Sequence, residues 1–281
     1  MTTARAAVGR LLVCPTPIGN LEDITLRVLA ALRAADVIAC EDTRRTLRLL
    51  DRHDIAPPRL VSFHEHNERA RTEELLACIR DGATVALVSD AGTPLLSDPG
   101  FVLVRACVAA GLALEVLPGP SALLTALVAS GLPVDRWRFV GFLPRARREL
   151  ETLLADTPET LVAFESPRRL AASLAVLAAR DPERAVAVCR ELTKVHEEVR
   201  RGSAAELAAH YRESPARGEV VLVCGAASGG RALDERALGA LRELIDAGAK
   251  PRRAAAVVAA LSGLAANELY RELAGSARRP A

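Results

Sequence analysis

Side chains able to do acid–base or ligand chemistry gather at a few points of this chain, each just after an apolar run. Glu41 and Asp42 open EDTRRT (Glu41 to Thr46), His64 opens HEHN (His64 to Asn67), and Lys194 closes RELTK. The densest stretch is Thr84 to Gly100, TVALVSDAGTPLLSDPG. Its β-branched and apolar start reads as a strand that stops at Ser89-Asp90. A loop rich in Gly and Pro follows, and Asp98-Pro99 reads as a helix N-cap with proline at the first helical position. Strand–helix connections usually take roughly two to six residues. This one is longer and polar at both ends. Gly92 would let backbone approach a ligand closely, and the prolines stiffen the turn. The stretch is therefore expected to be a ligand loop at the carboxyl end of a strand, where α/β sheets bind their ligands.

The elements that must position these residues follow from apolar periodicity. Short buried strands are expected at Arg10–Cys14, Val37–Cys40, Leu60–Phe63, Thr84–Val88 and Leu114–Leu117. Between them lie helical patterns: one from Leu21 with Ile24, Val28, Leu29 and Leu32 on one face, a basic helix to about Asp51, and Arg69–Arg80. Two more run through Ala110 and to Ser130, the last opened by Pro118-Gly119-Pro120-Ser121, where Pro120 suits a first helical position. Alternating strand and helix implies a mainly parallel sheet covered on both faces. In such a sheet PTPIGN (Pro15 to Asn20), EDTR, HEHN, SDAGTP and PGPS share one edge. Five polar loops then converge on one cleft.

The 281 residues suit two domains with a small third. Aromatics are only 3%, so Ala, Leu and Val must fill the core. With 37 basic and 35 acidic side chains, bulk charge selects no partner, and a nucleic-acid site must be a local patch. The six cysteines form no CxxC pair and suit reduced, buried thiols in the cytosol. Met1–Arg10 is a polar lead-in, and no apolar run spans a membrane.

After Gly131–Arg138 the composition shifts. Arg136–Arg148, RWRFVGFLPRARR, combines arginines with Trp137, Phe139 and Phe142. Arginines suit phosphate and aromatics suit unpaired bases, so this is the best local RNA patch. Alternating core residues of a strand, with solvated arginines, would give the same pattern. Helices are expected at Glu149–Leu154, Arg168–Ala179 and Ala204–His210. Strands are expected at Thr160–Phe164, Ala185–Cys189, Glu198–Arg201 and Val220–Cys224, in a mixed or antiparallel sheet. Gly225–Arg231 reads as a flexible linker. Beyond it, patterns at Leu238/Leu241/Leu244/Ile245, Ala254/Val257/Val258/Leu261 and Leu269/Leu273 suggest a helix-turn-helix-like module of near-balanced charge.

PTPIGNLEDIT, EDTRRT, SDAGTPLLSDPG, LPGPSA, GFLPR and FESPRRL, in this order, resemble the bacterial 16S rRNA (cytidine-2′-O)-methyltransferases of the tetrapyrrole methylase superfamily. The resemblance spans nearly the whole chain, and GLAANELY extends it into the C-terminal module. It implies an α/β, two-domain, non-Rossmann methyltransferase fold with a small C-terminal helical module. The expected division is 1–117, 118–226 and 233–281. It further implies S-adenosyl-L-methionine as cofactor, 16S rRNA or the small ribosomal subunit as partner, a cytoplasmic location, no membrane contact and a homodimer. The absence of GxGxxG and GxxxxGK[ST] accords with this.

Residue roles follow from the resemblance. Ser89, Asp90, Ala91, Gly92, Thr93 and Pro94, with Ser97, Asp98 and Gly100, would wrap the methionine part of the cofactor. Pro118, Gly119, Pro120, Ser121 and Ala122 would sit beside it, with Pro15 through Gly19 on the floor. Phe164, Glu165 and Ser166 would read the adenine. Methyl transfer from a sulfonium is mainly an alignment problem, and alignment supplies roughly 7–11 kcal/mol. A ribose hydroxyl also gains from a general base, worth about 10²–10⁴-fold. Glu41, Asp42 and His64 are the candidates, with Lys194 adding charge from the second domain. Asp42 equally suits an N-cap, and Glu41 an ion pair with Arg44 or Arg45. His64 and His66 would share one strand face, but no third ligand is evident, so no metal is expected. Arg136, Arg138, Arg145, Arg147 and Arg148 are the RNA candidates, extended by Arg44, Arg45, Arg168 and Arg169. Two other readings stand beside this one: carbon methylation of a tetrapyrrole, and a nonenzymatic RNA-binding assembly factor.

Overall fold

The computed structural model describes residues 9–155, 157–262, 266 and 269, with backbone only over 228–235. The lead-in before Gly9 and Leu273 of the third C-terminal pattern lie outside the described residues. In chain order the first lobe runs β1 (Arg10–Cys14), α1 (Leu26–Ala34), β2 (Val37–Cys40), α2 (Thr43–Arg52), β3 (Arg59–Ser62), α3 (Glu68–Arg80), β4 (Thr84–Val88), α4 (Phe101–Ala109) and β5 (Ala113–Val116). The sheet order is β3-β2-β4-β1-β5, and every pairing is parallel. Side chains alternate between two faces. Leu11, Val13 and Leu87 pack with Leu75, Ile79 and Leu103 of α3 and α4 on one face. Leu12, Cys14 and Ile38 pack with Val28 and Leu32 of α1 on the other. Burial on both sides is why these strands are continuous apolar runs.

The second lobe runs α5 (Ala122–Ser130), β6 (Trp137–Phe142), α6 (Arg147–Ala155), β7 (Thr160–Glu165), α7 (Leu170–Arg180), β8 (Ala185–Arg190), β9 (Glu198–Ser203), α8 (Ala204–Glu213) and β10 (Val220–Cys224). Its order is β6-β7-β10-β8-β9; β6 and β7 are parallel and the rest antiparallel. One face packs on α6, α7 and α8 around Leu174, Leu207 and Tyr211. The other is covered by Leu123, Ala126 and Leu127 of α5 and by Ile18 from the first lobe. That reach of Ile18 sets the lobes against each other. Two further helices, α9 (Ser228–Asp246) and α10 (Pro251–Ser262), pack through Leu241, Ala254 and Val258, with Leu269 buried against them.

Several local expectations change. The first helix begins at Leu26 rather than Leu21, because Thr25 caps it by accepting the Val28 N–H. Asp98 does not cap α4: Gly100 does, at φ +128°, and its N–H is received 3.2 Å away by the Glu68 carboxylate of α3. Pro120 is not in α5, whose N-cap is Ser121. His64 and His66 do not share a strand face, since β3 ends at Ser62 and His64 begins a turn closed by Asn67 N–H to His64 C=O. The linker is shorter than Gly225–Arg231, because α9 starts at Ser228.

Candidate active site

The segments after β1, β2, β4 and β5 face the second lobe across a cleft with two adjoining cavities; the HEHN loop after β3, expected to join them, lines neither. The first has a volume of about 400 Å³. The loop after β4 supplies Ala91, Gly92, Thr93, Leu96, Ser97 and Asp98, and the start of α5 supplies Ser121 and Ala122. From the second lobe come Phe142, Phe164, Glu165, Ser166 and Pro167, and beside them on the same sheet edge Glu191, Gly218 and Glu219.

The β4 loop is held by its own polar groups. Thr16 and Gly92 exchange both backbone hydrogen bonds at 2.9 Å, the Thr16 hydroxyl donates to Ser89 C=O at 2.9 Å, and the Ser89 hydroxyl donates to Gly92 C=O at 3.0 Å. The Thr93 hydroxyl donates to Pro120 C=O at 3.0 Å. A Cβ on Gly92 would lie 3.3 Å from Ile18, so the turn runs close to the PTPIGN segment. Leu95 and Ser97 both have φ near +70°, a conformation that costs about 1–3 kcal/mol each and collects at functional sites. The opposite wall matches it: Glu191 has φ +50° and Thr193 φ +64°.

Charge on the walls of the first cavity is negative, while the second carries Arg45, Arg48 and Lys194 beside Asp90 and Glu219. Burial, reinforced by Glu41 and Asp90, pushes the Asp98 carboxyl up to about 7. Among the described residues Asp98 has no hydrogen-bond or ion-pair partner. Burial and Asp90 also raise Glu41. Asp42 behaves in the opposite way: it caps α2 through Arg44 N–H at 2.8 Å and pairs with the Arg44 guanidinium, which holds it near 2. A carboxylate so engaged is a poor proton acceptor, which removes the basis for Asp42 as a base. Lys194 donates to Glu191 Oε1 and Glu219 Oε2, both at 2.9 Å. Those bonds outweigh partial burial and raise it, so it stays a fixed cation.

His64 is also unsuited to proton abstraction. Its backbone N–H donates to Asn67 Oδ1, which fixes that amide's orientation. Asn67 Nδ2 therefore donates to Ser62 C=O and to His64 Nε2 at 3.1 Å. The ring's lone pair is occupied, and the remaining hydrogen sits on the buried Nδ1, which has no partner among the described residues.

The remaining sequence candidates fall into three groups. Ala91, Gly92, Thr93, Ser97, Asp98, Ser121, Ala122, Phe164, Glu165 and Ser166 line the first cavity. Gly19, Arg45, Ser89, Asp90 and Lys194 line the second, of about 450 Å³, which Arg48 also lines. Pro15, Pro94, Pro118, Gly119 and Pro120 line neither and act as framework; a Cβ on Gly119 would meet Pro15 at 2.6 Å. Glu165, although it borders the cavity, is buried and bound to Ser173 Oγ at 2.5 Å, Ser166 N–H at 2.7 Å and Arg169 at 3.4 Å. Its role is to hold the FESPRR turn. In the Arg-rich segment, Phe139 and Phe142 pack on Phe164 with ring centres 5.2 and 5.5 Å apart. Arg138 faces Glu159 and Arg147 pairs with Glu151, while Arg136, Arg145, Arg148 and Arg168 are exposed.

The sequence reading missed Glu191, Gly218, Glu219 and Arg48. Only the RELTK string hinted at the first of these. Among the described residues no three His, Cys, Asp or Glu side chains gather as a metal site.

A family model described as Tetrapyrrole (Corrin/Porphyrin) Methylases matches residues 10–208. The chain belongs to the tetrapyrrole methylase family. Its relatives include "Ribosomal RNA small subunit methyltransferase I" of Micromonospora olivasterospora, 46% identical over 95% of this chain and 87% of that protein. The solved uroporphyrin-III-C-methyltransferase of Thermus thermophilus superposes with a TM-score of 0.57 at 26% identity, over 77% of this chain and 94% of that one. A second structure of that Thermus enzyme, described as complexed with S-adenyl homocysteine, shares the fold at 22% identity, with a TM-score of 0.55 over 77% and 97% of the two chains. Family membership makes this chain a methyltransferase, and the two lobes are those of the tetrapyrrole methylase fold.

The residues of the first cavity suit a cationic nucleoside donor. Aromatic and aliphatic walls (Phe142, Phe164, Leu96) suit a planar base, Gly92 admits close backbone approach, and the unpartnered Asp98 suits a positive centre.

Proposed function

We propose that this chain methylates the ribose 2′-hydroxyl of a cytidine in 16S rRNA, at the decoding centre of the small ribosomal subunit. S-adenosylmethionine is the methyl donor of this family, and when bound it supplies a methyl group on a positively charged sulfur. The observation that carries the reading is a cleft between two lobes, lined by Phe142, Phe164 and Leu96 and by the Asp98 carboxylate. It stands in a chain 46% identical to a small-subunit rRNA methyltransferase.

Within that cleft the β4 loop and the start of α5 would bind the donor. Phe142 and Phe164 would flank its base. Asp98, whose carboxyl is under the influence of Glu41 and Asp90, would face the positive centre. The exposed arginines of 136–148 and Arg168, near the cavity residues Phe142 and Pro167 in the chain, would meet RNA phosphates.

The same reading includes a homodimer in the cytoplasm. Phe101 and Val108 of α4, Val116 of the edge strand β5, and Leu124 and Val128 of α5 are each more than half exposed, an apolar surface that a second copy would cover. No helix among the described residues is long and apolar enough to cross a membrane. We place the domain limits at 1–117, 118–226 and 233–281. Packing of α5 on the second sheet supports the first limit.

The test is incubation of the purified protein with methyl-labelled S-adenosylmethionine and unmodified small subunits, followed by nucleoside analysis. Label in 2′-O-methylcytidine is expected. Label on a carbon of an added porphyrinoid instead would move the assignment to tetrapyrrole chemistry.

A further inference from the structure

Resting on that reading, we propose that the second cavity receives the acceptor nucleotide and that Arg48, with Arg45, clamps its phosphate. The cavity lies between the PTPIGN segment, α2 and Lys194. It adjoins the first along a shared wall of Ile18, Ala91 and Glu219. A sugar hydroxyl held there lies across Ala91 from the donor side of the cleft.

The charges on its walls fit a phosphodiester beside a ribose. Arg45 and Arg48 stand three residues apart on α2, so both side chains leave the same helix face. Arg48 has no ion pair or hydrogen bond among the described residues. Arg45 has one contact, 3.5 Å from Asp90 Oδ2. The other cation of the cavity, Lys194, is already matched by Glu191 and Glu219. Among the described residues of this cavity's walls, Arg48 of α2 is therefore the cation left without a counter-charge. Planar guanidiniums bind phosphate oxygens in pairs, and two of them on one helix face suit a single bridging phosphate. A volume of about 450 Å³ accommodates one nucleotide turned out of its strand rather than a duplex segment. Asp90 lies at the same wall, its Oδ1 accepting the Asp42 N–H at 2.9 Å, which leaves Oδ2 toward Arg45. A ribose hydroxyl entering between them finds both an acceptor and a cation.

The test uses the full-length protein, methyl-labelled S-adenosylmethionine and unmodified small subunits. Arg48→Ala is expected to raise KM for subunits about tenfold, with Kd for S-adenosylmethionine by calorimetry unchanged. It should also flatten the logarithmic salt dependence of subunit binding by about one unit. Arg48→Lys should recover part of the loss, and Arg48→Glu should exceed it. Arg180→Glu, at the far end of α7, makes the same change of charge and should leave KM alone. If wild type labels subunits and neither Arg48→Ala nor Arg48→Glu alters KM, the clamp is wrong while the methyltransferase reading stands. If wild type puts no label on subunits, the reading fails and the clamp falls with it.

Discussion

The backbone N–H of Asn20 donates to Thr193 Oγ1 at 2.9 Å, joining the PTPIGN turn of the first lobe to the strained RELTK turn of the second. Next to it, a Cβ on Gly19 would lie 2.5 Å from Lys194 Cγ, 2.6 Å from Thr193 Oγ1 and 2.9 Å from Leu192 C=O. The lysine stem can move, but the backbone carbonyl cannot. Gly19→Ala should therefore push the lobes apart at the cleft. We expect S-adenosylmethionine affinity by calorimetry to fall at least tenfold with an unchanged circular dichroism spectrum. Wild-type affinity would show that this contact does not set the cleft width.

Gly239 offers the opposite case. It lies inside α9, and among the described residues nothing stands within 4 Å of a Cβ placed there. Gly239→Ala should stabilise the C-terminal helices by about 0.5–1 kcal/mol through the unfolded chain's lost freedom. Denaturant unfolding monitored on this module would reveal it as a raised midpoint.

The Asp98 carboxyl, pushed up to about 7 from 3.8, makes two pH effects. Folding favours its protonated form, so its contribution to stability is complete below about pH 4 and is lost as pH rises through about 7. Asp98→Asn should remove that slope and be the more stable protein at pH 8, by an amount on the order of a few kcal/mol. Binding of a cation favours the ionised form, so affinity for S-adenosylmethionine should rise between pH 6 and 8, by up to about tenfold per unit. A flat affinity profile in wild type would place the positive centre elsewhere.

Glu165 has no exposed side-chain surface, and Arg169 is its counter-charge while also donating to Leu143 and Pro144 C=O at 3.2 and 2.6 Å. Arg169→Ala leaves a buried carboxylate and two carbonyls without that donor. A loss of about 3–5 kcal/mol is expected. Arg147→Ala, which breaks a solvent-exposed pair with Glu151, should cost at most about 1 kcal/mol. Equal losses in thermal unfolding would contradict this ranking.

Burial pushes the Cys14 thiol up to about 12 and the Cys189 and Cys224 thiols to about 11, and Cys40 and Cys107 upward as well. Cys78 alone is not fully buried. A thiol reagent at pH 8 should modify one cysteine in the native protein and all six after unfolding.

Much of the first lobe was legible because both faces of its sheet are covered. Burial on two sides writes β1, β2 and β4 into the chain as unbroken apolar runs. The order of the second sheet was not legible, since β10 inserts between β7 and β8 through tertiary packing rather than through any local signal. That insertion pairs Val220 with Glu165 and so brings the preceding Gly218 and Glu219 to the cleft, which made this part of its wall invisible in the same way. The reading of Asp98 as a helix cap failed for a related reason. The local pattern is that of a helix cap, but Glu68, from another helix, receives the Gly100 N–H instead and frees Asp98 for the cleft. Arg48 was passed over because a basic helix face reads as solvated until a cavity is seen beside it.

The grouping of Asp98 with Glu41 and Asp90 has a consequence for turnover. A reagent that enters carrying positive charge and leaves neutral is retained by these carboxylates only on the way in. Exchange of used for fresh reagent is thus favoured by the change of charge that the reaction itself makes.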